Sequence, residues 1–272
     1  MVAMASISAV VRNLRPLEGR AYIALIGFAL LMNWRSAEVY ELVTAFLAGV
    51  LFVWYAFSIN NCFDVDTDSK NPVKVKKNPI ASGELSFSEG LAISALLAVT
   101  GLGLALTTNG TAFAVYVAML ILATLYSAPP RLKARPVVDV LSHGLFFGGL
   151  PFIYGALIDG NLSEAEILMA TGITLYSFAL ELRNHLSDYE SDLRAGLRTT
   201  PIVIGKGRSE LLVEVFSVLA LAVTLYTLKP HLIIASSLMF AGRGLRVDQR
   251  TVYRMFDVAM VGAVLAAGGT AL

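Results

Sequence analysis

The sequence predicts an all-α membrane protein, a bundle of about nine transmembrane helices, and three observations lead there. Hydrophobic residues make up 56% of the 272 positions and charged residues only 15%, against roughly a quarter charged in soluble chains. Apolar segments long enough to cross a bilayer recur along the whole chain. The basic residues between those segments fall almost entirely on alternate connections.

Taken in order, the apolar segments cover 17–34, 38–60, 88–107, 111–128, 136–158, 165–187, 209–228, 230–243 and 253–271. Most approach the ~20 residues that a bilayer core demands, and the eighth is short. Ser86 with Glu89, and Ser163 with Glu166, have the spacing of a capping box, in which a hydroxyl and a carboxylate satisfy first-turn amides. The stretch around Arg12, Asn13 and Arg15 is too polar for a signal peptide, so no cleaved targeting segment is expected. Of the 21 Lys and Arg, all but Arg35 and Lys229 lie in or beside the N-terminus and the connections at 61–87, 129–135, 188–208 and 244–252. The positive-inside rule therefore places those connections in the cytoplasm. Cys62 is the only cysteine, and His143, His185 and His231 are scattered, so neither a disulfide framework nor a zinc site can be assembled. No feature suggests a nucleic-acid partner.

Two polar stretches interrupt this pattern. NNCFDVDTD (60–68) closes the second segment and NHLSDYESD (184–192) closes the sixth, both on the predicted cytoplasmic side. Asn60, Asp64, Asp66 and Asp68 are in register with Asn184, Asp188, Glu190 and Asp192. The matching suggests an internal repeat of about four helices, approximately 17–128 and 136–243, within a single domain spanning 1–272. On a helix, residues four apart share a face, so Asn60, Asp64 and Asp68 form one line of oxygens and Asn184, Asp188 and Asp192 another. Facing each other, they make a cage of hard ligands suited to Mg²⁺, which keeps waters and completes its shell with substrate phosphates. A plainer reading is that the acids are solvated at the interface, but matched registers argue against it. An EF-hand fails because Ser69 and Val75 stand where Gly and Glu are needed. Among nearby cations, which also serve as topology determinants, Lys74, Arg131, Lys133 and Arg198 are candidates for binding a diphosphate.

These motifs resemble the two signatures of the UbiA superfamily of intramembrane prenyltransferases, and the resemblance covers nearly the whole chain. Arg15-Pro16, NPIASGELS (78–86), YSAPPRLK (126–133) and DLRAGLRTTPIVIG (192–205) add to it. The sequence departs from the common pattern at Asn61, where Asp is usual, and at Asn78-Pro79, where Arg-Pro is usual. The resemblance implies a bundle around a lipid-accessible cavity, under cytoplasmic cap loops at 61–87 and 188–208. It implies Mg²⁺ held by Asp64, Asp68, Asp188 and Asp192 with help from Asn60 and Asn184. Arg15, Lys74, Lys133 and Arg198 would hold diphosphate oxygens, and Tyr126 would lie near the reacting carbon.

The expected reaction moves an isoprenyl chain, geranyl to polyprenyl, from an allylic diphosphate to a lipophilic acceptor with release of pyrophosphate. An aromatic, hydroxybenzoate-like acceptor is the first choice. Metal ions and positioned cations neutralise the leaving diphosphate, and aromatic faces stabilise the allylic cation; Tyr126, Tyr154, Tyr176, Phe146, Phe147 and Phe178 are available for this. The glycines at 144, 148, 149 and 155 either pack helices closely or leave room for the tail. Two other functions compete: an ion-coupled transporter, and a Mg²⁺-dependent lipid-phosphate transferase such as one moving phosphoribosyl to polyprenyl phosphate. The transporter predicts charges inside the spans, where only Glu181 and Arg183 are found.

Overall fold

The structure is a computed structural model that describes residues 6–194, 196–228 and 248–269. It contains only helices among those residues. A short amphipathic helix, α1 (Ile7–Leu14), begins with the Ser6 hydroxyl accepting from the Ala9 amide. Arg15 then takes a left-handed conformation, φ 46°, and Pro16 starts α2 (Pro16–Met32). Proline suits the first helical position because its missing N–H would have no intrahelical partner there. The long α3 (Val39–Phe63) is followed by the single turn α4 (Val65–Asp68), then α5 (Phe87–Ala105) and α6 (Gly110–Ser127). The next span is composite: α7 (Val138–His143), a π-helical stretch (Gly144–Gly149) and α8 (Leu150–Ala156). It leads to α9 (Glu164–Arg194), the short α10 (Thr200–Ile204), α11 (Lys206–Tyr226) and α12 (Gln249–Gly269).

Seven stretches among the described residues are long and apolar enough to cross a membrane: Val39–Phe63, Phe87–Ala105, Gly110–Ser127, Val138–Asp159, Glu164–Arg194, Lys206–Tyr226 and Gln249–Gly269. They match seven of the nine expected segments. The first expected span is α2, whose 17 residues lie at the short end of the range that crosses a bilayer. The eighth, 230–243, with Lys229 and His231, lies outside the described residues. Both expected capping boxes form: the Ser86 and Ser163 hydroxyls accept from the amides of Glu89 and Glu166, whose carboxylates accept in return.

Outward-facing positions are apolar, as lipid contact requires; Leu96 and Val99 on α5 and Val258 and Val261 on α12 are all more than half exposed. Helix association in lipid rests on close packing rather than on escape from water. Glycines on the composite span supply it. A Cβ at Gly144 would stand 2.1 Å from the Phe178 ring, and one at Gly149 would stand 2.1 Å from Thr174 Oγ1, both on α9. At Gly155 it would meet Ala29 and the Ile26 carbonyl oxygen of α2. Their small size therefore serves packing rather than room for a tail. Two deep tyrosines are paired to backbone: the hydroxyls of Tyr116 and Tyr154 donate to the carbonyls of Ala48 and Ala45 on α3.

Candidate active site

The two acidic motifs are delivered differently. On α3 the helix stops at Phe63, and Asp64 turns out of it at φ −104°, ψ 6° before α4 begins. The expected straight line of Asn60, Asp64 and Asp68 is thus bent at its middle residue. The second motif lies within the continuous α9, so Asn184, Asp188 and Asp192 keep one helical face. Both motifs face a single cavity of about 590 Å³, whose walls include Asn60, Asp64, Asp68, Asn184, Asp188 and Asp192.

Cations close on these acids from several elements. Lys133 and Arg131, on the connection after α6, both donate to Asp64, Arg131 at 3.3 Å. Lys74 of the 61–87 connection donates to Asp188 at 2.9 Å. The Arg15 guanidinium stands 3.6 Å from Asp68, which also accepts from the Asn78 amide at 3.0 Å. Asn60 donates to Ser127. Arg198 is exposed and does not line the cavity, although its neighbours Leu197 and Thr199 do.

The electrostatics follow from burial and pairing. Burial weakens the hold of Arg15 and Lys133 on their protons, partly offset by Asp68 and Asp64 respectively. Burial likewise raises Asp68 above the usual carboxylate range, against the Asn78 hydrogen bond. For Lys74 burial pulls downward, but the hydrogen bond and charge of Asp188 prevail and the ammonium is raised.

The two departures from the common pattern form a scaffold beneath the acids. Asn61 is fully buried. Its amide donates to the Asn13 backbone carbonyl and side-chain oxygen, both at 3.0 Å, and its own oxygen accepts from Arg15. Asn78 donates to the Asn61 carbonyl and to Asp68, and its oxygen accepts from the Ile80 and Ala81 amides. Asn61 therefore positions Arg15, as its capacity for hydrogen bonding allows, and does not line the cavity.

Four further residues join the site that their separate places in the sequence did not reveal. Glu181 lines the cavity beside Tyr126. It accepts from the Tyr126 hydroxyl at 2.5 Å and the Asn184 amide at 3.1 Å, with His185 and His143 Nε2 at 3.2 and 3.3 Å. Asp139, wholly buried, accepts from the Thr200 amide at 2.7 Å, from the Thr200 hydroxyl and from the Val140 amide, and lies 3.5 Å from His185. The missed signal is a repeated spacing: Asp139-x-x-x-His143 and Glu181-x-x-x-His185 each place an acid and an imidazole on one helix face.

Of the predicted aromatics, Tyr126 lines the cavity and packs on Phe146 at 5.0 Å. Tyr22 and Phe57, not foreseen, also line it, and Phe147 stacks behind Tyr22 at 4.2 Å. Tyr154 bonds into α3, Tyr176 to Asp257, and Phe178 packs on Phe216, all away from the cavity wall.

The donor set fits a hard divalent cation. Its oxygens are carboxylates and amides, and among the described residues no three acid, histidine or cysteine side chains converge enough to hold an ion alone. Mg²⁺ commonly uses one or two carboxylates and leaves the remaining positions to water and substrate phosphate.

The chain matches the UbiA prenyltransferase family over residues 21–270. It is 31% identical to a lycopene elongase/hydratase of Halobacterium salinarum over 70% of both chains. It is 30% identical to a 4-hydroxybenzoate octaprenyltransferase of Polynucleobacter necessarius over 61% of this chain and 57% of that one. With a digeranylgeranylglyceryl phosphate synthase of Pyrococcus horikoshii it shares 28% identity over 67% of this chain and 64% of the other. A UbiA homolog from Archaeoglobus fulgidus, solved with GPP and Mg²⁺, superposes with a TM-score of 0.75 at 24% identity, covering 97% of this chain and 99% of that one. A helical membrane fold with paired acidic motifs and a family match along nearly the whole length make this chain a member of the UbiA prenyltransferase family.

Proposed function

We propose that the cavity is a Mg²⁺-dependent prenyl-transfer site opening to the cytoplasmic side, where an allylic isoprenyl diphosphate donates its chain to a lipophilic acceptor. One observation carries the reading: both acidic motifs and four predicted cations, Arg15, Lys74, Arg131 and Lys133, line one cavity. Asp64, Asp68, Asp188 and Asp192 would hold Mg²⁺, which neutralises charge developing on the leaving diphosphate. Arg131 and Lys133 on the Asp64 wall, Arg15 beside Asp68 and Lys74 beside Asp188 present cations from separate sides, so a diphosphate between them is held at several oxygens. Tyr22, Phe57 and Tyr126 give the reacting end of the chain aromatic surroundings that exclude water. Cleavage of the C1–O bond sends its electron pair to the diphosphate; the acceptor supplies a pair to C1 and loses a proton. The same reading takes the chain as one domain in which α3 and α9 are equivalent elements of two halves.

The first choice of acceptor is aromatic and hydroxybenzoate-like. A polyene is the second, favoured by the higher identity and greater coverage of the lycopene elongase/hydratase. Family membership sets the transporter and lipid-phosphate readings behind both. Mg²⁺-dependent binding of geranylgeranyl diphosphate to the purified protein, then pyrophosphate release across hydroxybenzoate, polyene and glyceryl phosphate acceptors, tests the proposal. Binding should require Mg²⁺ and Asp64; absence of metal-dependent binding to any allylic diphosphate would refute it.

A further inference from the structure

We propose that Glu181 is the fixed counter-charge of the allylic cation formed in the cavity; the inference rests on the donor-site reading above. Two features single it out. It is only 4% exposed yet contributes to the cavity wall, and among the described residues its ion-pair partners are histidines alone, with no lysine or arginine. The acids of the two motifs at Asp64, Asp68 and Asp188 each have a Lys or Arg beside them.

Acids outnumber histidines around Glu181. His185 Nε2 lies 3.2 Å from Glu181 and 3.5 Å from Asp139, and its Nδ1 lies 3.9 Å from Asp192, so one imidazole is shared among several carboxylates. His143 directs Nε2 at Glu181, while its buried Nδ1 has no hydrogen-bond partner. Glu181, Asp139 and Asp192 thus share two histidines and, among the described residues, pair with no lysine or arginine. Carboxylates buried in an apolar bundle without lysine or arginine partners cost stability, and groups of that kind concentrate where chemistry needs them.

Ionisation of an allylic diphosphate leaves positive charge spread over C1 and C3 while the electron pair departs on the diphosphate. The metal and the basic rim act on the leaving group and repel the cation left behind. A carboxylate set deeper, beside the Tyr126 ring, favours the carbon end of the separating charges. Glu181 forms no bond in this step and takes no proton. Both of its oxygens already accept hydrogen bonds, from Tyr126 and Asn184, and this suppresses its capture of the cation as a nucleophile.

The test uses the full chain in detergent micelles and two probes, geranyltrimethylammonium and its neutral isostere with carbon in place of nitrogen. Each is titrated with Mg²⁺, with and without inorganic pyrophosphate. The native protein should prefer the ammonium roughly tenfold or more, as expected for a charge a few ångströms away at protein-like dielectric, and should keep the preference when pyrophosphate is omitted. Glu181→Gln should bring the ratio near one, and Glu181→Asp should retain the preference. A ratio near one in the native protein overturns the proposal without any variant, as does an undiminished ratio in Glu181→Gln. Failure of the native protein to bind geranyl diphosphate at all overturns the donor-site reading and this inference with it, whereas normal donor binding without ammonium preference overturns this inference alone.

Discussion

Replacing Asp139 by alanine should loosen the turn that leads into α10, and the structure sets the size of the effect. The carboxylate is inaccessible and accepts from two backbone amides, Thr200 and Val140, and from the Thr200 hydroxyl, with the His185 imidazole at 3.5 Å. Alanine leaves those donors without their acceptor, at about 1–3 kcal/mol for each buried group. Some will find water or each other, so a net loss of about 3–5 kcal/mol, the usual cost of breaking a buried charged pair from one side, is expected. Because Thr200 is held to Asp139 from outside α7, the loss should be local first. Hydrogen exchange at the Thr200 amide should accelerate by roughly a hundredfold or more, since about 1.4 kcal/mol is a factor of ten. Asp139→Asn should fall between the two, keeping an acceptor but presenting N–H to a donor. Native-like exchange at Thr200 in Asp139→Ala, with an unchanged melting temperature, would refute the argument that this carboxylate ties α7 to the cap.

Asp64→Asn and Asp188→Asn should each abolish pyrophosphate release while circular dichroism stays native; retention of most activity in either would remove the two-motif metal site. Lys133→Ala should weaken donor binding by about tenfold or more, as loss of a charge-assisted contact implies, and an unaltered Kd would make Lys133 a topology determinant only. Asn61→Asp should destabilise the fold by about 1–3 kcal/mol, because a carboxylate cannot donate to the two Asn13 oxygens; thermal unfolding measures it, and a more stable variant would contradict the hydrogen-bond assignment. Asp68, raised by burial, binds its proton more tightly folded than unfolded. Its contribution is therefore fully present below the ordinary aspartate value near 3.8 and is lost as pH rises through the folded value. Metal-free Asp68→Asn should accordingly be more stable than the native chain at neutral pH and no more stable below about pH 4, and a pH-independent difference in melting temperature would count against this.

Much of this was legible in the chain because the governing signals are local. Apolar length fixes the spans, a hydroxyl three residues before a glutamate caps α5 and α9, and the matched acidic motifs reveal their partnership by repetition alone. The bend at Asp64 escaped because nothing between Asn60 and Asp68 breaks a helix by propensity; tertiary pairing with Lys133 and Arg131 draws Asp64 aside. The Glu181, His143, His185 and Asp139 group escaped for a different reason. Its members come from α7 and α9, and each helix alone shows only an acid and a histidine four apart. Arg198 looked equivalent to Lys133 because charge and proximity in sequence do not say which side of a loop faces a cavity. Tyr22 and Phe57 sit among many aromatics of an apolar bundle, and only the fold distinguishes those on the cavity wall.

The π-helical stretch at Gly144–Gly149 carries a consequence for how this chain can change length. A wide turn of this kind holds one more residue than a regular one. Deleting one residue from it would let the stretch close to ordinary α geometry, and because five α residues at about 100° each sweep nearly the same angle as six in the wider turn, both flanks would keep their facing. His143 would stay beside Glu181, and Tyr154 would still reach the Ala45 carbonyl. An added residue would have to be housed where a Cβ at Gly144, Gly148 or Gly149 already stands within 2.7 Å of α9 side chains. Surface connections tolerate gain and loss of residues; in the middle of this span one residue can be given up but none gained, so the packing against α9 sets an upper limit on the residue count there.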